Sequence, residues 1–183
     1  MLLFIDLVLI LFILFLLIVL SMVWPPDSPW APWWRTSSQK AKLIWTHVTL
    51  TKKDVIYELG CGDAAVLREA AKYGARCLGI EIDPFRVLIA RFLVWKNGYS
   101  KTIIIKRGNF SEHSLKEATV VFVYLVPRVL KNLKKKFLKE LKPGIKIVSY
   151  VYEIDFLPLI KKDEKNKIFI YRVPKKSYLN NLR

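Results

Sequence analysis

A chain of 183 residues that is 53% hydrophobic, with 31 Lys+Arg against 15 Asp+Glu and a net charge of +16, is long enough for one folded domain and too apolar for disorder. Two Cys and nine Pro exclude a disulfide-stapled scaffold and a collagen-like or Pro-rich fibre. The charge is placed unevenly. Every basic residue lies from Arg35 onward, and only Asp6 and Asp27 precede it, so a strongly basic part follows an almost uncharged head.

Within that head, Leu7 to Trp24 carries no ionisable side chain. As a helix it would cover roughly 27 Å of the ~30 Å hydrocarbon core of a bilayer. No Lys or Arg precedes it, and Ser21-Met22-Val23-Trp24-Pro25-Pro26 lacks a small-x-small cleavage site, so residues 1–24 read as an uncleaved membrane anchor rather than a signal peptide. Arg35, Lys40, Lys42, Lys52 and Lys53 follow the run, against Asp6 alone before it. By the positive-inside rule the expectation is a single-pass topology, with the N-terminus outside and the rest cytoplasmic. Residues 25–35 hold four Pro and, with Trp24 just before them, a cluster of Trp, which reads as a stiff interfacial linker. A role for Trp33 and Trp34 in covering an active site stays open. The remainder, 36–183, is then one domain.

Thr36, Ser37 and Ser38 are N-cap candidates for a helix through about Thr46, whose Ala41, Ile44, Trp45 and Val48 recur at helical spacing. Short apolar runs then alternate with helical stretches. Val55 to Leu59 reads as a strand, Ala64 to Tyr73 as a helix, Cys77 to Ile82 as a strand and Phe85 to Trp95 as a helix. Thr102 to Lys106 and Thr119 to Leu125 are strands by their β-branched content. Arg128 to Leu141 is an amphipathic helix stopped by Pro143-Gly144, with Leu130, Leu133, Phe137, Leu138 and Leu141 inward. Lys146 to Tyr152 is a strand, and Ile168 to Val173 an edge strand, antiparallel in a mixed arrangement. The pattern predicts an α/β fold with a doubly wound, mostly parallel sheet covered on both faces. Little chain follows the fifth strand, which leaves open whether the final strand of the sheet is missing; a missing one would leave an edge exposed or filled by a partner.

The informative segment is Val55-Ile56-Tyr57-Glu58-Leu59-Gly60-Cys61-Gly62-Asp63-Ala64, a strand running into a small-residue turn and then a helix. Gly60 and Gly62 allow positive φ and a close backbone approach to a ligand. At the end of the next strand stands Glu81, where a carboxylate can accept the hydroxyls of a ribose. A pyrophosphate would be repelled by Glu58 and Asp63 on either side of the turn, so acid here favours a cationic cofactor.

These residues resemble the first motif of the class I S-adenosylmethionine-dependent methyltransferases, E/D-x-G-x-G-x-G, with Glu58, Gly60 and Gly62 matching and Ala64 in place of the third glycine. The resemblance covers roughly Thr36 to Val173 and implies a Rossmann-like methyltransferase sheet with S-adenosyl-L-methionine as cofactor. It further implies that Glu58 and Asp63 lie near the methionine amino group, that Glu81 binds the ribose and that Ile82 packs on the adenine. Asn109, in Gly108-Asn109-Phe110, then stands near the adenine amino group, although a plain turn Asn is the competing reading. Pro32 with Thr36 and Ser37, Gly60-Cys61-Gly62-Asp63, Gly79-Ile80-Glu81-Ile82 and Val126-Pro127 also look like the membrane-anchored lysine methyltransferases of the ATP synthase c-subunit and adenine nucleotide translocase type. That resemblance implies a covering role over the cofactor for Thr36 and Ser37, although Arg35 occupies a position where the family often has a second proline.

By the same resemblance the fourth strand leads to the methyl-acceptor side, making Tyr124, Val126 and Pro127 the candidate catalytic residues. Methyl transfer asks little of side chains beyond placing an in-line nucleophile. A lysine acceptor with an ordinary pKa near 10.4 is neutral in only about one molecule in 2,500 at pH 7, so the site has to desolvate or deprotonate it. The Tyr124 hydroxyl and the backbone at Val126-Pro127 are candidates for that work, and Glu153 and Asp155 for drawing the cation in. His47 and His113 have no companion at metal-ligand spacing, so no metal site is expected. Cys61 and Cys77 read as reduced packing thiols.

The expected function is thus lysine N-methylation of a membrane or membrane-associated protein, with the N-terminal helix and the basic surface, rich in Lys from Lys131 to Lys142, holding the domain at anionic lipid. Lipid or quinone methylation, a non-catalytic membrane scaffold and RNA methylation remain alternatives. Nucleic acid is the less expected partner, because a membrane tether is an odd address for an RNA enzyme.

Overall fold

The computed structural model describes residues 2–23 and 34–175. Helix α1 (Leu2–Val23) has side chains described over 4–20, all of them exposed. Among the described residues no helix is long and apolar enough to cross a membrane. This finding overturns the expected single-pass topology with an outside N-terminus and a cytoplasmic domain. Most of the expected Pro/Trp linker, including Pro32 and Trp33, lies outside the described residues; Trp34 is exposed.

From α2 (Ser38–Thr46) onward the chain follows β1 (Val55–Leu59), α3 (Ala65–Ala71), β2 (Arg76–Glu81), α4 (Pro84–Lys96), β3 (Ile103–Arg107), β4 (Val120–Val123), α5 (Pro127–Glu140), β5 (Lys146–Tyr150), β6 (Leu159–Asp163) and β7 (Ile168–Arg172). The strands form one sheet in the order β3-β2-β1-β4-β5-β7-β6. Its first five members are parallel, and β7 and β6 are antiparallel. Parallel pairing buries both faces of β1 and β4, which explains the unbroken apolar run of β4 and leaves Glu58 as the charged exception in β1.

One face is packed by α2, α3 and α4 through Ile44, Trp45, Leu67, Val87 and Ala90; the other is packed by α5 through Leu130, Leu133 and Phe137. Buried Trp45 donates its indole N–H to the Val66 carbonyl at 2.8 Å, locking α2 onto α3. Ser37 caps α2 with its hydroxyl, and Asp83 caps α4 with its carboxylate ahead of Pro84, as their residue types dictate.

Among the departures from expectation, two boundaries and the edge of the sheet stand out. The helix after β1 starts at Ala65, because Ala64 is left-handed (φ 59°) and serves as its N-cap. Strand β5 stops at Tyr150, because Val151 turns to φ 72°. The expected edge strand β7 is interior, and β6 is the true edge, so the sheet has seven strands and the question of a missing final strand is answered by its presence. Leu159–Asp163 has no signal in the sequence because its exposure on both faces leaves no apolar alternation to read.

Candidate functional site

The turn between β1 and α3 is built on three left-handed positions with one residue between each: Gly60 (φ 77°), Gly62 (φ 53°) and Ala64 (φ 59°). Ala64 occupies the third-glycine position of the motif, in the conformation that glycine would adopt without cost, which is the physical content of that motif position. The Gly60 and Cys61 N–H groups both donate to the Ile80 carbonyl, at 2.9 and 3.1 Å, tying the turn to the end of β2. Gly79 lets that approach happen: a Cβ there would stand 2.6 Å from the Cys61 Sγ and 2.9 Å from Ile105.

At the end of β1, Glu58 is buried and its Oε2 has no hydrogen-bond partner. Burial first, and then the nearby charges of Asp63 and Glu81, hold its carboxyl well above the usual range. A buried acceptor without a donor is a costly feature that a bound cationic or N–H group would relieve.

Glu81 is also buried, with its bonding visible. Its Oε2 accepts the Gly62 N–H at 2.8 Å, and its Oε1 accepts the Ile82 and Asp83 N–H groups, each at 3.0 Å. A carboxylate has about four acceptor positions, so about one remains for a ribose hydroxyl, not the two expected from the sequence. Arg86, buried on α4, brings Nη1 to 3.9 Å from Glu81 Oε1.

Asp63 is engaged differently. Its Oδ2 accepts from Arg35 Nε at 2.9 Å and lies 3.9 Å from Arg68 Nη2, while Arg68 Nη1 donates to the Asp63 carbonyl. Asp63 is thus held by two arginines of the chain, and the expectation of two free acids facing a cationic ligand narrows to Glu58. The Arg35 contact brings the segment 34–37, with half-buried Thr36, beside the cofactor turn.

The other expected residues sort clearly. Cys61 turns its N–H to Ile80, its carbonyl to the Ala64 N–H (2.7 Å) and its thiol toward Gly79, so it shapes the turn from inside. Burial pushes its thiol well up and that of Cys77 up to about 12; both are free and buried. Ile82 is half-buried at the end of β2. Asn109 is exposed, with Oδ1 accepting the Ser111 N–H at 2.9 Å in a local turn. The Gly108 N–H donates to the Glu81 carbonyl at 2.9 Å, which anchors this loop next to Glu81, and Phe110 packs on the α5 side of the core.

On the acceptor side, Val126 caps α5 and Pro127 is its first residue. The Val126 carbonyl already accepts from Val129 and Leu130, at 2.9 and 3.1 Å, which leaves the backbone there poorly placed to take a proton. Tyr124 is half-buried beside Tyr150 and Tyr152. Burial, then the two neighbouring phenols, raise its pKa, so it stays a neutral phenol and is no base at pH 7. Glu153 pairs with Lys162 at 3.3 Å. Among the described residues no group of His, Cys, Asp and Glu could hold a metal ion; His47 instead lies 3.0 Å from Asp163. Arg35, Arg68, Arg86, Tyr150 and Tyr152 were missed from the sequence. Arg68, on the first turn after the motif, was the one with a local signal.

Comparison with known proteins agrees with this geometry. The ANTKMT methyltransferase domain model matches residues 58–159, which include the β1 turn, Glu81, Tyr124 and α5. A protein-lysine N-methyltransferase of Saccharolobus islandicus is 36% identical over 135 residues, 73% of this chain and 82% of that protein. The adenine nucleotide translocase lysine N-methyltransferase of Mus musculus is 34% identical over 93 residues, 50% of this chain. The chain spans only 41% of that mouse relative's length. Among solved structures, an RNA methyltransferase from Salinibacter ruber in complex with S-adenosyl-L-homocysteine superposes with a TM-score of 0.73 at 29% identity, covering 78% of this chain and 95% of that one.

S-Adenosylmethionine presents an ammonium, a ribose and an adenine, and the unpartnered Glu58 oxygen, the open acceptor position on Glu81 and the glycine turn fit those groups. The chain belongs to the ANTKMT methyltransferase domain family and is an S-adenosylmethionine-dependent methyltransferase that shares sequence with proteins named as lysine N-methyltransferases.

Proposed function

We propose that this enzyme methylates the side-chain nitrogen of a lysine in a protein acceptor. The observation that carries the acceptor class is the 36% identity, over 73% of the chain, to a protein named protein-lysine N-methyltransferase. In this reading Glu58 receives the cofactor's ammonium, Glu81 a ribose hydroxyl, and the backbone of Gly60, Cys61 and Gly62 the chain between them. Ile82, Asn109 and Phe110 border the adenine, and Thr36, drawn in by the Arg35–Asp63 pair, covers the site. When bound, the cofactor supplies a methyl group already activated on a sulfonium, so the protein has to position and desolvate the nucleophile rather than activate the electrophile.

The acceptor side starts at Tyr124, Val126 and Pro127. A neutral Tyr124 phenol accepts a hydrogen bond from a lysine ammonium and orients it, while the ammonium proton leaves to water before transfer. Half-buried surroundings favour that loss, because desolvation lowers a lysine pKa. The test is transfer of labelled methyl from S-adenosylmethionine by the full chain to the protein and RNA fractions of a cell lysate, followed by acid hydrolysis. Label in methyl-lysines is the expected result, and label in nucleosides with none in lysine overturns it. RNA is the second reading, favoured by the 29% identity to the Salinibacter ruber protein named an RNA methyltransferase and by the net charge of +16.

A further inference from the structure

Three tyrosines that the first motif does not involve meet at the C-terminal ends of β4 and β5. Tyr124 follows β4, Tyr150 ends β5, and Tyr152 lies two residues beyond. The Tyr124 and Tyr150 ring centroids are 4.9 Å apart at 68°, edge to face, and those of Tyr124 and Tyr152 are 6.5 Å apart at 32°. All three are half-buried. The cluster stands directly beside the cofactor turn: Leu59 of β1 registers with Val123 of β4, and Leu125 Cδ2 is 3.6 Å from where a Gly60 Cβ would lie.

The segment that carries two of these rings is strained. Val151, between them, has φ 72°, a conformation that a β-branched residue adopts only under constraint. The constraint is visible. The Val151 N–H donates to the Lys167 carbonyl at 2.7 Å, and the buried Ser149 hydroxyl donates to the Tyr152 carbonyl at 2.5 Å. Continuing β5 as a regular strand would send residues 150 and 152 to the same face about 7 Å apart along the strand; the left-handed residue instead places both rings against Tyr124. Such strain concentrates at ligand-binding positions.

Aromatic faces attract cations that come within about 6 Å of a ring centroid. With the Tyr124 and Tyr152 centroids 6.5 Å apart, a single cation can lie within that distance of both rings. Glu153, the nearest acid in sequence, is paired with Lys162 and so does not supply this attraction. Burial raises the pKa of Tyr124 and Tyr150, which keeps these phenols neutral at physiological pH.

We propose that Tyr124, Tyr150 and Tyr152 form an aromatic seat for the acceptor's ammonium and for its methylated forms, built by the left-handed turn at Val151. The proposal rests on the lysine reading above. Its test measures binding of two probes to the full chain loaded with S-adenosylhomocysteine by ligand-observed NMR: Nα-acetyl-Nε-trimethyl-lysine amide, and its neutral analogue in which the quaternary nitrogen is carbon. The expected result is that the charged probe binds wild type about three- to tenfold more tightly, that Tyr124→Leu or Tyr152→Leu brings the ratio to about one, and that Tyr152→Phe retains it. Tyr152→Leu keeps its S-adenosylhomocysteine affinity, which shows that it folds. Equal binding of the two probes to wild type, or a preference that survives both leucine variants, overturns the seat. Wild-type label transfer measured alongside separates the two ideas: methyl-lysine formed without charge preference removes the seat and leaves the lysine reading standing, whereas label confined to nucleosides removes both.

Discussion

The unpartnered Glu58 carboxyl makes cofactor affinity depend on pH in a calculable way. Burial and the charges of Asp63 and Glu81 raise its pKa in the free enzyme, so it keeps its proton to a higher pH there than an ordinary carboxyl does. Binding an ammonium beside Oε2 favours the carboxylate, so the proton leaves on binding. Between the pKa of the complex and that of the free enzyme, one released proton makes the dissociation constant fall up to tenfold per pH unit, equivalent to about 1.4 kcal/mol. As pH rises from the ordinary carboxyl value of about 4.5 toward the raised one, the wild-type Kd for S-adenosylmethionine is expected to fall, by up to about tenfold per pH unit. Glu58→Gln keeps the shape and the hydrogen-bonding capacity but has no proton to lose, so its Kd is expected to be weaker and flat across this range. Titration calorimetry in buffers of different ionisation enthalpy reads the proton count directly, close to one for wild type and zero for the variant. A pH-independent wild-type Kd, or a glutamine variant that keeps the slope, refutes the assignment of Glu58. The same group acts on folding with the opposite sign. A raised folded pKa means stability present below the unfolded value, about 4.5, and lost as pH rises toward the folded one, so Glu58→Gln is expected to melt higher than wild type at pH 8 without cofactor.

Three further outcomes are expected. Gly79→Ala puts a methyl 2.6 Å from the Cys61 Sγ and so costs about 2 kcal/mol, or about 4–8 °C in Tm; adding Cys61→Ala restores only part of that, because the residue 61 Cβ and Ile105 still stand 2.9 Å away, and a single variant as stable as wild type sinks the close-packing argument. Arg35→Ala releases segment 34–37 from Asp63 and weakens S-adenosylmethionine binding about two- to fivefold at low salt, an advantage of wild type that shrinks in about 1 M salt; equal Kd values at low salt count against a covering role. Cys61 and Cys77, buried with raised thiol pKa values, are expected to resist Ellman's reagent at pH 8 until the protein is unfolded, and labelling at the rate of a free thiol would contradict their burial.

Much of the fold could be read in advance because it is written locally. The buried runs Val55–Leu59 and Val120–Val123 are rich in β-branched and aromatic residues, with Glu58 the one charged member, and the α5 apolar stripe recurs at 3.6-residue spacing, so their types follow from composition and period. Strand β6 has neither signal, since its five residues are mostly exposed and its place is set by antiparallel pairing with β7. The apolar head shows the opposite failure. Composition alone read it as an anchor, whereas among the described residues no helix is long and apolar enough to cross a membrane.

What the amino-acid order determined by itself is the cofactor turn. Gly60, Gly62 and the small Ala64 follow β1 at fixed spacing, with Glu58 before them and Glu81 closing the next strand, and each of these is a short-range pattern tied to one βαβ unit. Tertiary structure alone decided how those groups are engaged. Arg35 reaches Asp63 across 28 residues of sequence, backbone N–H groups fill most of Glu81, and Tyr124 meets Tyr150 and Tyr152 only because β4 pairs with β5 and Val151 reverses its φ. Local conformation repeats with a period that a sequence displays, whereas the contacts that assign charge and hydrogen bonds join residues with no periodic relation and exist only once the sheet has closed.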